Sequence, residues 1–308
     1  MRQLVRYVPV ALIVIATVAT AVFSLHTAGT PASAASATTT TAPARLTGFY
    51  LDLGASSSLG FQPTGIVNHN GHRTDTGYAN DLIFLERLQG VSLTLRQMGC
   101  PGDLVQTVLN TAANDHCYSA PETQLTNAVQ YLKANQSETG VVTIDLGFNN
   151  IRLCLWPDVP NAACVAAGIA AVKVDLPKIL SQLKAAAGPQ VRFVGLLYAD
   201  PFLAHYFNGA DGPSEATASL VDVTQLNAVL LSAYTAAGVP SANVPGISNL
   251  DNSSLVTLAN VGTIPENVED TCEETWMCYG APFGPDDHPN DAGYALIAQA
   301  IFAALPRL

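Results

Sequence analysis

The sequence has few charged side chains, and positive charge is the scarcest. Only 12% of its 308 residues are charged, with 13 lysines and arginines against 24 aspartates and glutamates. The net charge of −11 argues against binding to nucleic acid or to anionic membrane surfaces, because both attract patches of Lys and Arg. The surface must therefore rely on Ser, Thr, Asn, Gln and Gly. A hydrophobic content of 49% is ample for the core of one large α/β domain.

The amino terminus carries the features of an export signal. Two arginines precede an apolar run over Val8–Leu25, and small residues with A-x-A spacing follow it. This order predicts a signal peptide over residues 1–34, or an uncleaved membrane anchor, because the run has the minimum length that spans a bilayer. Residues 35–46 are rich in Ala, Thr and Pro and are predicted to form a linker. In either case the folded domain, residues 47–308, is expected outside the cytoplasm.

No C-x-x-C pair occurs, and no histidine lies at ligand spacing beside a cysteine, which argues against the alternative of a zinc site. The chain has six cysteines, and an even number in an exported protein indicates disulfides. The six form three local pairs, so we expect sequential pairing, with each bridge closing one loop, and no bound metal. The expected bridges are Cys100–Cys117, Cys154–Cys164 and Cys272–Cys278.

Apolar runs typical of strands alternate along the chain with stretches typical of helices, and no internal repeat interrupts them. The strand-like runs are Thr47–Leu53, Ser92–Gln97, Val141–Leu146 and Val191–Tyr198. The helix-like stretches are Tyr78–Leu88, Asp103–Ala113, Glu122–Ala134, Ala162–Ala187, Val223–Ala237 and Ala292–Leu305. This alternation predicts an α/β fold, a three-layer α/β/α sandwich with a mostly parallel central sheet. Ligands bind such sheets beyond the carboxyl ends of the strands, so functional residues are expected there.

Three segments that follow strands carry candidate residues. Ser56 follows the first strand, where a helix N-terminus can supply N–H groups to an oxyanion; the alternative is a Ser-rich helix cap. Gly102 follows the second strand. Its backbone N–H can come close to a tetrahedral intermediate, an approach that a side chain would obstruct; the alternative is a tight turn. Asn149 follows the third strand and can donate a further hydrogen bond, or simply cap a helix or turn the chain.

The candidate base is His288, which stands just before the last helix-like stretch with carboxylates at the two preceding positions. A histidine oriented by an acid suits general base catalysis. The alternative is an acidic loop that ends in a helix cap at Asn290 or Asp291. His205, beyond the fourth strand, is the other candidate base; the remaining histidines lack such a setting.

Together these four segments, in this order and each after its own strand or before the last helix, resemble the motifs of the SGNH hydrolases, also called GDSL-like lipases and esterases. The resemblance covers most of residues 47–308, and its most specific part is the stretch His288–Tyr294. It implies a flavodoxin-like SGNH hydrolase fold. It also implies Ser56 as nucleophile, His288 as base, and an oxyanion hole formed by the Ser56 N–H, the Gly102 N–H and the Asn149 amide. An exported chain with three local disulfides is also similar to the secreted bacterial members.

Three positions depart from the family's motifs. Ala55 replaces the Asp of G-D-S, and Asn150 replaces the Asp of G-x-N-D. Pro285 stands where D-x-x-H has its acid, which leaves the acid open. Asp286 is the first candidate, because residues two apart in an extended segment point to the same side. The Pro285 backbone carbonyl, Asp287 or a distant group are the alternatives.

The sequence thus predicts a secreted serine esterase or lipase that hydrolyses acyl esters through an acyl-enzyme, without a metal or an organic cofactor. The expected substrate is a small-molecule, lipid or glycan ester. Alternatives on the same fold are a carbohydrate O-deacetylase and a non-catalytic surface protein that binds glycan or lipid. We expect a monomer that meets a membrane only if its N-terminal segment is uncleaved.

Overall fold

The four predicted strands are all present in the structure, a computed structural model that describes residues 46–64, 71–110, 117–156 and 161–307. The predicted signal or anchor and nearly all of the linker lie outside these ranges, as do His26, His69 and His116. The strands are β1 Leu46–Gly54, β2 Val91–Gln97, β3 Thr139–Asp145, β4 Val191–Leu196, β5 Ser241–Ala242, β6 Leu255–Leu258 and β7 Gly262–Pro265. The helices are α1 Tyr78–Leu88, α2 Val105–Leu109, α3 Gln124–Ala134, α4 Asn149–Leu155, α5 Ala162–Ala186, α6 Gly212–Ala237, α7 Val244–Ile247, α8 Glu266–Glu274 and α9 Asp291–Ala304. Short 3-10 helices span Ser57–Leu59 and Pro201–Phe207.

The central sheet has five strands in the order β2-β1-β3-β4-β5, and every neighbouring pair is parallel. This is the flavodoxin-like order, so the predicted parallel sheet is confirmed. The strand order reverses between β1 and β3, and a crevice opens beyond their carboxyl ends at this switch point. Ser56 follows β1 and Asn149 follows β3, so the topology brings these two residues to the same crevice.

Side chains of β1 alternate between two cores, which produces the three layers. Phe49, Leu51 and Leu53 pack against α2, α3, α5 and α6 on one face of the sheet. Tyr50 belongs to the other core, which α1 and α9 cover. Full burial of each such leucine contributes about 1.5–3 kcal/mol, so the register of β1 is strongly specified. The predicted α/β/α sandwich is therefore confirmed.

Most of the predicted helices match their bounds to within two residues, but α6 begins earlier and α2 ends earlier than predicted. Helix α6 begins at Gly212 instead of Val223, because Pro213 occupies a position in the first turn where its missing N–H costs nothing. Its polar first turns hid this start from a search for apolar spacing. Helix α2 spans Val105–Leu109 and ends four residues before its predicted end at Ala113, because its C-cap residue Asn110 is extended.

Helix α4 was not among the predicted helices, and its presence changes the surroundings of Asn149. Ile151, Cys154 and Leu155 are its buried residues, at the spacing that lines one face of a helix. The antiparallel β6–β7 hairpin and α8 were also not predicted; they form a small third core on the 3-10 helix Pro201–Phe207. Within the described ranges, no helix combines the length and the hydropathy that crossing a bilayer requires.

All three expected disulfides are present. Their Cα–Cα distances are 5.9 Å for Cys100–Cys117, 5.6 Å for Cys154–Cys164 and 5.1 Å for Cys272–Cys278. The second joins the last turn of α4 to the first turn of α5. It fixes a helix of only seven residues, a length that is not stable alone in water.

Candidate active site

Ser56 stands at the N-cap position of the 3-10 helix Ser57–Leu59, directly after β1. Its side chain makes no capping hydrogen bond. Instead Ser56 Oγ lies 2.8 Å from His288 Nε2. The backbone of Ser56 thus occupies a cap position, while its hydroxyl hydrogen-bonds to the imidazole.

The imidazole of His288 is held on both of its nitrogens. Its Nδ1 lies 2.7 Å from Asp286 Oδ1, which also accepts a hydrogen bond from the His288 backbone N–H at 3.0 Å. The ring of Phe61 lies beside the imidazole, with centroids 5.5 Å apart. Asn290 then caps α9 by accepting from the N–H groups of Ala292 and Gly293. The segment thus contains both the oriented histidine and the cap that the sequence offered as alternatives.

The two adjacent aspartates face opposite partners. Asp286 contacts the imidazole, whereas both oxygens of Asp287 accept from Arg152, one of them at 2.7 Å from Nη2. Burial alone would raise the pKa of Asp286. Hydrogen bonds from His288 and the charges of His288 and Arg152 outweigh burial, so this pKa lies below its ordinary value. Asp286 is therefore an ionised partner of the histidine at neutral pH.

Asn149 is the first residue of α4, and its side-chain amide donates to the Asp103 backbone carbonyl at 3.2 Å. This contact holds the amide beside the loop that contains Gly102. Gly102 has φ +83°, and a Cβ built there would meet no atom within 4 Å. No protein atom thus occupies the place of a Cβ at this position, and the left-handed backbone is what favours glycine here.

Gln124 connects the two loops that carry Ser56 and Gly102, and sequence reasoning missed it. Its side chain is fully buried. The amide accepts from the Gly54 N–H at 2.8 Å and donates to the Gly54 carbonyl at 2.9 Å and to Asp103 Oδ2 at 2.7 Å. In the sequence Gln124 follows a helix-capping threonine and carries no signal of this role.

Other side chains replace the two supporting aspartates of the family's motifs. At Ala55, the backbone carbonyl accepts from Ser58 Oγ at 2.7 Å, and Gln97 in turn donates to the Ser58 carbonyl at 2.6 Å. Asn150 accepts from the Val105 N–H at 3.2 Å and donates to the Gln106 side chain at 2.7 Å, which ties α4 to α2. Both loops are thus supported without these acids.

A buried carboxylate, Asp145, lies at the end of β3 beneath the site. It accepts from Tyr198 Oη at 2.8 Å and Tyr78 Oη at 3.4 Å. Burial raises its pKa to about 6, although these hydrogen bonds and the nearby charge of His288 oppose the shift. Tyr78 also donates to Asp52, a second buried acid on β1, at 2.8 Å. No feature of the sequence distinguished these two acids from ordinary strand-end residues.

His205, the other candidate base, does not contact Ser56. His205 is buried in the 3-10 helix Pro201–Phe207, with its ring 5.3 Å from that of Phe202, and the contact to Ser56 is made by His288.

Asp286, Asp287 and His288 lie close enough to one another to hold a metal ion. Asp286 Oδ1, both oxygens of Asp287 and both ring nitrogens of His288 already take part in hydrogen bonds with one another, with Arg152 or with Ser56.

The site opens into a cleft at the carboxyl ends of β1, β3 and β4. Ser56 and Asn149 line it together with Phe148, Leu197 and Tyr198. Three hydrogen bonds join the segment after β1 to the region around the start of α9, each across more than 200 residues. They are Ser56 to His288, Gln62 to Asp291 at 2.7 Å, and Tyr294 to the Phe61 carbonyl at 2.7 Å.

No family model and no curated protein matches the sequence. Among solved structures, the chain is similar to phospholipase A1 from Streptomyces albidoflavus NA297, with 18% identity and a TM-score of 0.50 over 83% of this chain and 99% of that one. TesA matches with 12% identity and a TM-score of 0.45 over 84% and 97% of the two chains. The lipase/acylhydrolase from Enterococcus faecalis matches with 12% identity and a TM-score of 0.43 over 84% and 97%. On the likeness to the phospholipase and on its own strand order, this chain has the α/β fold of the SGNH, or GDSL-like, hydrolases.

Proposed function

We propose that the protein is a carboxylic ester hydrolase that works through an acyl-enzyme on Ser56. The observation that carries this proposal is one continuous chain of hydrogen bonds. It runs from Ser56 Oγ through the two nitrogens of His288 to Asp286, with distances of 2.8 and 2.7 Å. A nucleophile, a base and an acid that orients the base are the parts that acyl transfer requires.

In the first half of the reaction, His288 Nε2 takes the Ser56 proton while Oγ attacks the carbonyl carbon of the ester. The tetrahedral intermediate then collapses. His288 gives its proton to the departing alcohol, and the acyl group stays on Ser56. In the second half, His288 takes a proton from water, the hydroxide oxygen attacks the acyl carbon, and Ser56 regains its proton as the acid leaves.

Asp286 keeps the imidazole in the tautomer that presents an unprotonated Nε2 to Ser56. Its lowered pKa supports this role, because an ionised carboxylate stabilises the imidazolium that forms in each half reaction. The Ser56 N–H, the Gly102 N–H and the Asn149 amide are the proposed donors to the oxyanion. Each such donor is worth about 3 kcal/mol of barrier.

The substrate is proposed to be a free ester, a lipid or an acetylated glycan outside the cytoplasm. The three disulfides support that location, because such bonds persist in oxidising compartments. The likeness to a phospholipase A1 makes a phospholipid one substrate to test. Phe148 and Leu197 give the cleft an apolar wall that suits the acyl group.

Labelling with a fluorophosphonate probe tests the nucleophile. Wild type should be labelled at Ser56, Ser56→Ala should not be labelled, and Ser57→Ala should be labelled like wild type. Hydrolysis of p-nitrophenyl esters of graded chain length, with a phospholipid and an acetylated xylan alongside, then ranks the substrates. A folded wild type that neither reacts with the probe nor turns over any of these esters would point to the non-catalytic binding protein instead.

A further inference from the structure

Arg152 connects the helix that presents Asn149 to the loop that carries His288. Asn149 and Arg152 are three residues apart on α4, so they share one face of the helix. The guanidinium of Arg152 donates to both oxygens of Asp287, which directly precedes His288. A cation–π contact with Trp156, at 5.4 Å, holds the guanidinium from the side.

This ion pair is far more enclosed than an ordinary surface pair. The Asp287 side chain is only 4% exposed, and that of Arg152 is 30% exposed. Two parallel N–H···O bonds give an Arg–carboxylate pair a fixed geometry as well as strength. Removal of one partner would leave the other charge enclosed and uncompensated.

The position of Asp287 makes its neutralisation important for the histidine. Without Arg152, an unpaired carboxylate would lie one residue from His288, where it would compete with Asp286 for the imidazole and stabilise the imidazolium. With Arg152 in place, the carboxylate is turned away and its charge is balanced.

We propose that Arg152 is a positioning residue for His288. It holds Asp287 away from the imidazole, so that Asp286 alone orients the ring. It also couples the loop that carries His288 to the proposed oxyanion donor Asn149. The inference rests on the proposed esterase activity. It assigns Arg152 a role through the Asp287 carboxylate and not through contact with substrate.

Several other groups surround the imidazole and set its background charge. Asp286 contacts Nδ1 directly, and Asp145 acts on His288 from the end of β3 below. Tyr294 of α9 lies within electrostatic reach of Asp145, Asp286 and Asp287. The variants proposed here leave Asp286, Asp145 and Tyr294 unchanged, so any shift between variants reports the charges at Arg152 and Asp287.

The test is a double-mutant cycle read on the acidic limb of the kcat/KM–pH profile, measured at low ionic strength. The free enzyme needs an unprotonated imidazole, so this limb reports the charge near His288. Arg152→Gln frees the Asp287 carboxylate and should move the limb to higher pH by about 0.5–1 unit. Asp287→Asn frees the guanidinium and should move it to lower pH by a similar amount. The double variant should return it to the wild-type position.

Arg87→Gln on the exposed face of α1 is the control for loss of an arginine charge and should leave the profile unchanged. Arg152→Lys keeps the charge, so its limb should stay in place even if kcat falls. Single variants that lower kcat without opposite shifts of the limb would overturn the proposal and leave only a structural ion pair. If Arg152→Gln does not fold, the comparison of Asp287→Asn with the double variant still tests the proposal, because it requires the acidic limbs of these two variants to lie at different pH. A wild type without esterase activity would instead overturn the proposed function itself.

Discussion

Asp200 should make the folded state less stable as the pH rises, and Asp200→Asn should remove that loss. Asp200 is fully buried, beyond β4, at the N-cap position of the 3-10 helix Pro201–Phe207. It accepts from Ser219 Oγ at 2.7 Å and from the Phe202 N–H at 2.9 Å. Burial, with a smaller contribution from the charge of Asp222, raises its pKa to about 7, although these two hydrogen bonds oppose the shift. In the unfolded chain the pKa of an aspartate is about 3.9.

The sign of the effect follows from proton binding. Between pH 4 and pH 7 the folded state holds a proton on Asp200 that the unfolded state has released, so stability falls as the pH rises through this range. From pH 5 to pH 8 the loss amounts to about 3 kcal/mol, since each unit of pKa difference corresponds to about 1.4 kcal/mol. For a domain of this size that is a Tm change of about 5–10 °C.

The substitution Asp200→Asn is well accommodated by the surrounding groups. The new carbonyl oxygen can still accept from the Phe202 N–H. Ser219 Oγ also lies 3.0 Å from the Ala216 carbonyl, so its hydroxyl can donate there and accept from the new amide. The advantage of the variant over wild type should therefore grow between pH 5 and pH 8, by the amount of stability that wild type loses over this range.

The measurement is the apparent Tm of wild type and Asp200→Asn at half-unit steps from pH 5 to pH 8. Other buried acids titrate equally in both proteins, so the difference between the two curves isolates Asp200. The exposed residue Asp251 offers the matched control, and Asp251→Asn should follow the wild-type curve. A difference between wild type and Asp200→Asn that stays constant across this range would refute the reasoning.

Other substitutions test the remaining parts of the site. Asp286→Asn should lower kcat by about 10³–10⁴-fold with the fold intact; near-normal turnover would transfer its role to the Pro285 carbonyl. Asn149→Ala should lower kcat by about 10²–10³-fold with little change in KM, and an unchanged kcat would remove it from the oxyanion hole. Replacing both Cys100 and Cys117 by Ser opens a loop of 17 residues and should cost about 3 kcal/mol of unfolding free energy in chemical denaturation. An unchanged denaturation midpoint would contradict this last expectation.

The sequence predicted the fold well because its information is local and repeated. Runs such as Val141–Leu146 are mostly apolar, as is usual for strands buried on both faces, and the stretches between them have helical spacing. Parallel strands joined by helices leave few alternatives for the topology. Helix α4 was missed because seven residues give too short a pattern, although its apolar spacing is visible in hindsight.

The supporting residues of the site could not be predicted in the same way. Gln124, Asp145 and Arg152 act through partners that lie far away in the sequence, and each belongs to a residue type common on surfaces. Asp286 was easier to find, since its partner His288 is two residues away and the local backbone decides which side chains share a side. Short-range geometry can be read from a sequence, whereas long-range pairing of polar groups needs the fold.

The contacts between the segment after β1 and the region at the start of α9 have a consequence for how the protein acquires activity. Ser56 and His288 are 232 residues apart, and the neighbouring hydrogen bond from Tyr294 to the Phe61 carbonyl spans 233. Contacts of such high sequence separation form late, because the intervening chain must first be ordered. A nascent or partly folded chain therefore lacks the contact between Ser56 and His288 on which the proposed ester hydrolysis depends. Ester hydrolysis should appear only with the last cooperative step of folding, so turnover is a sensitive reporter of complete refolding, more so than helix content measured by circular dichroism.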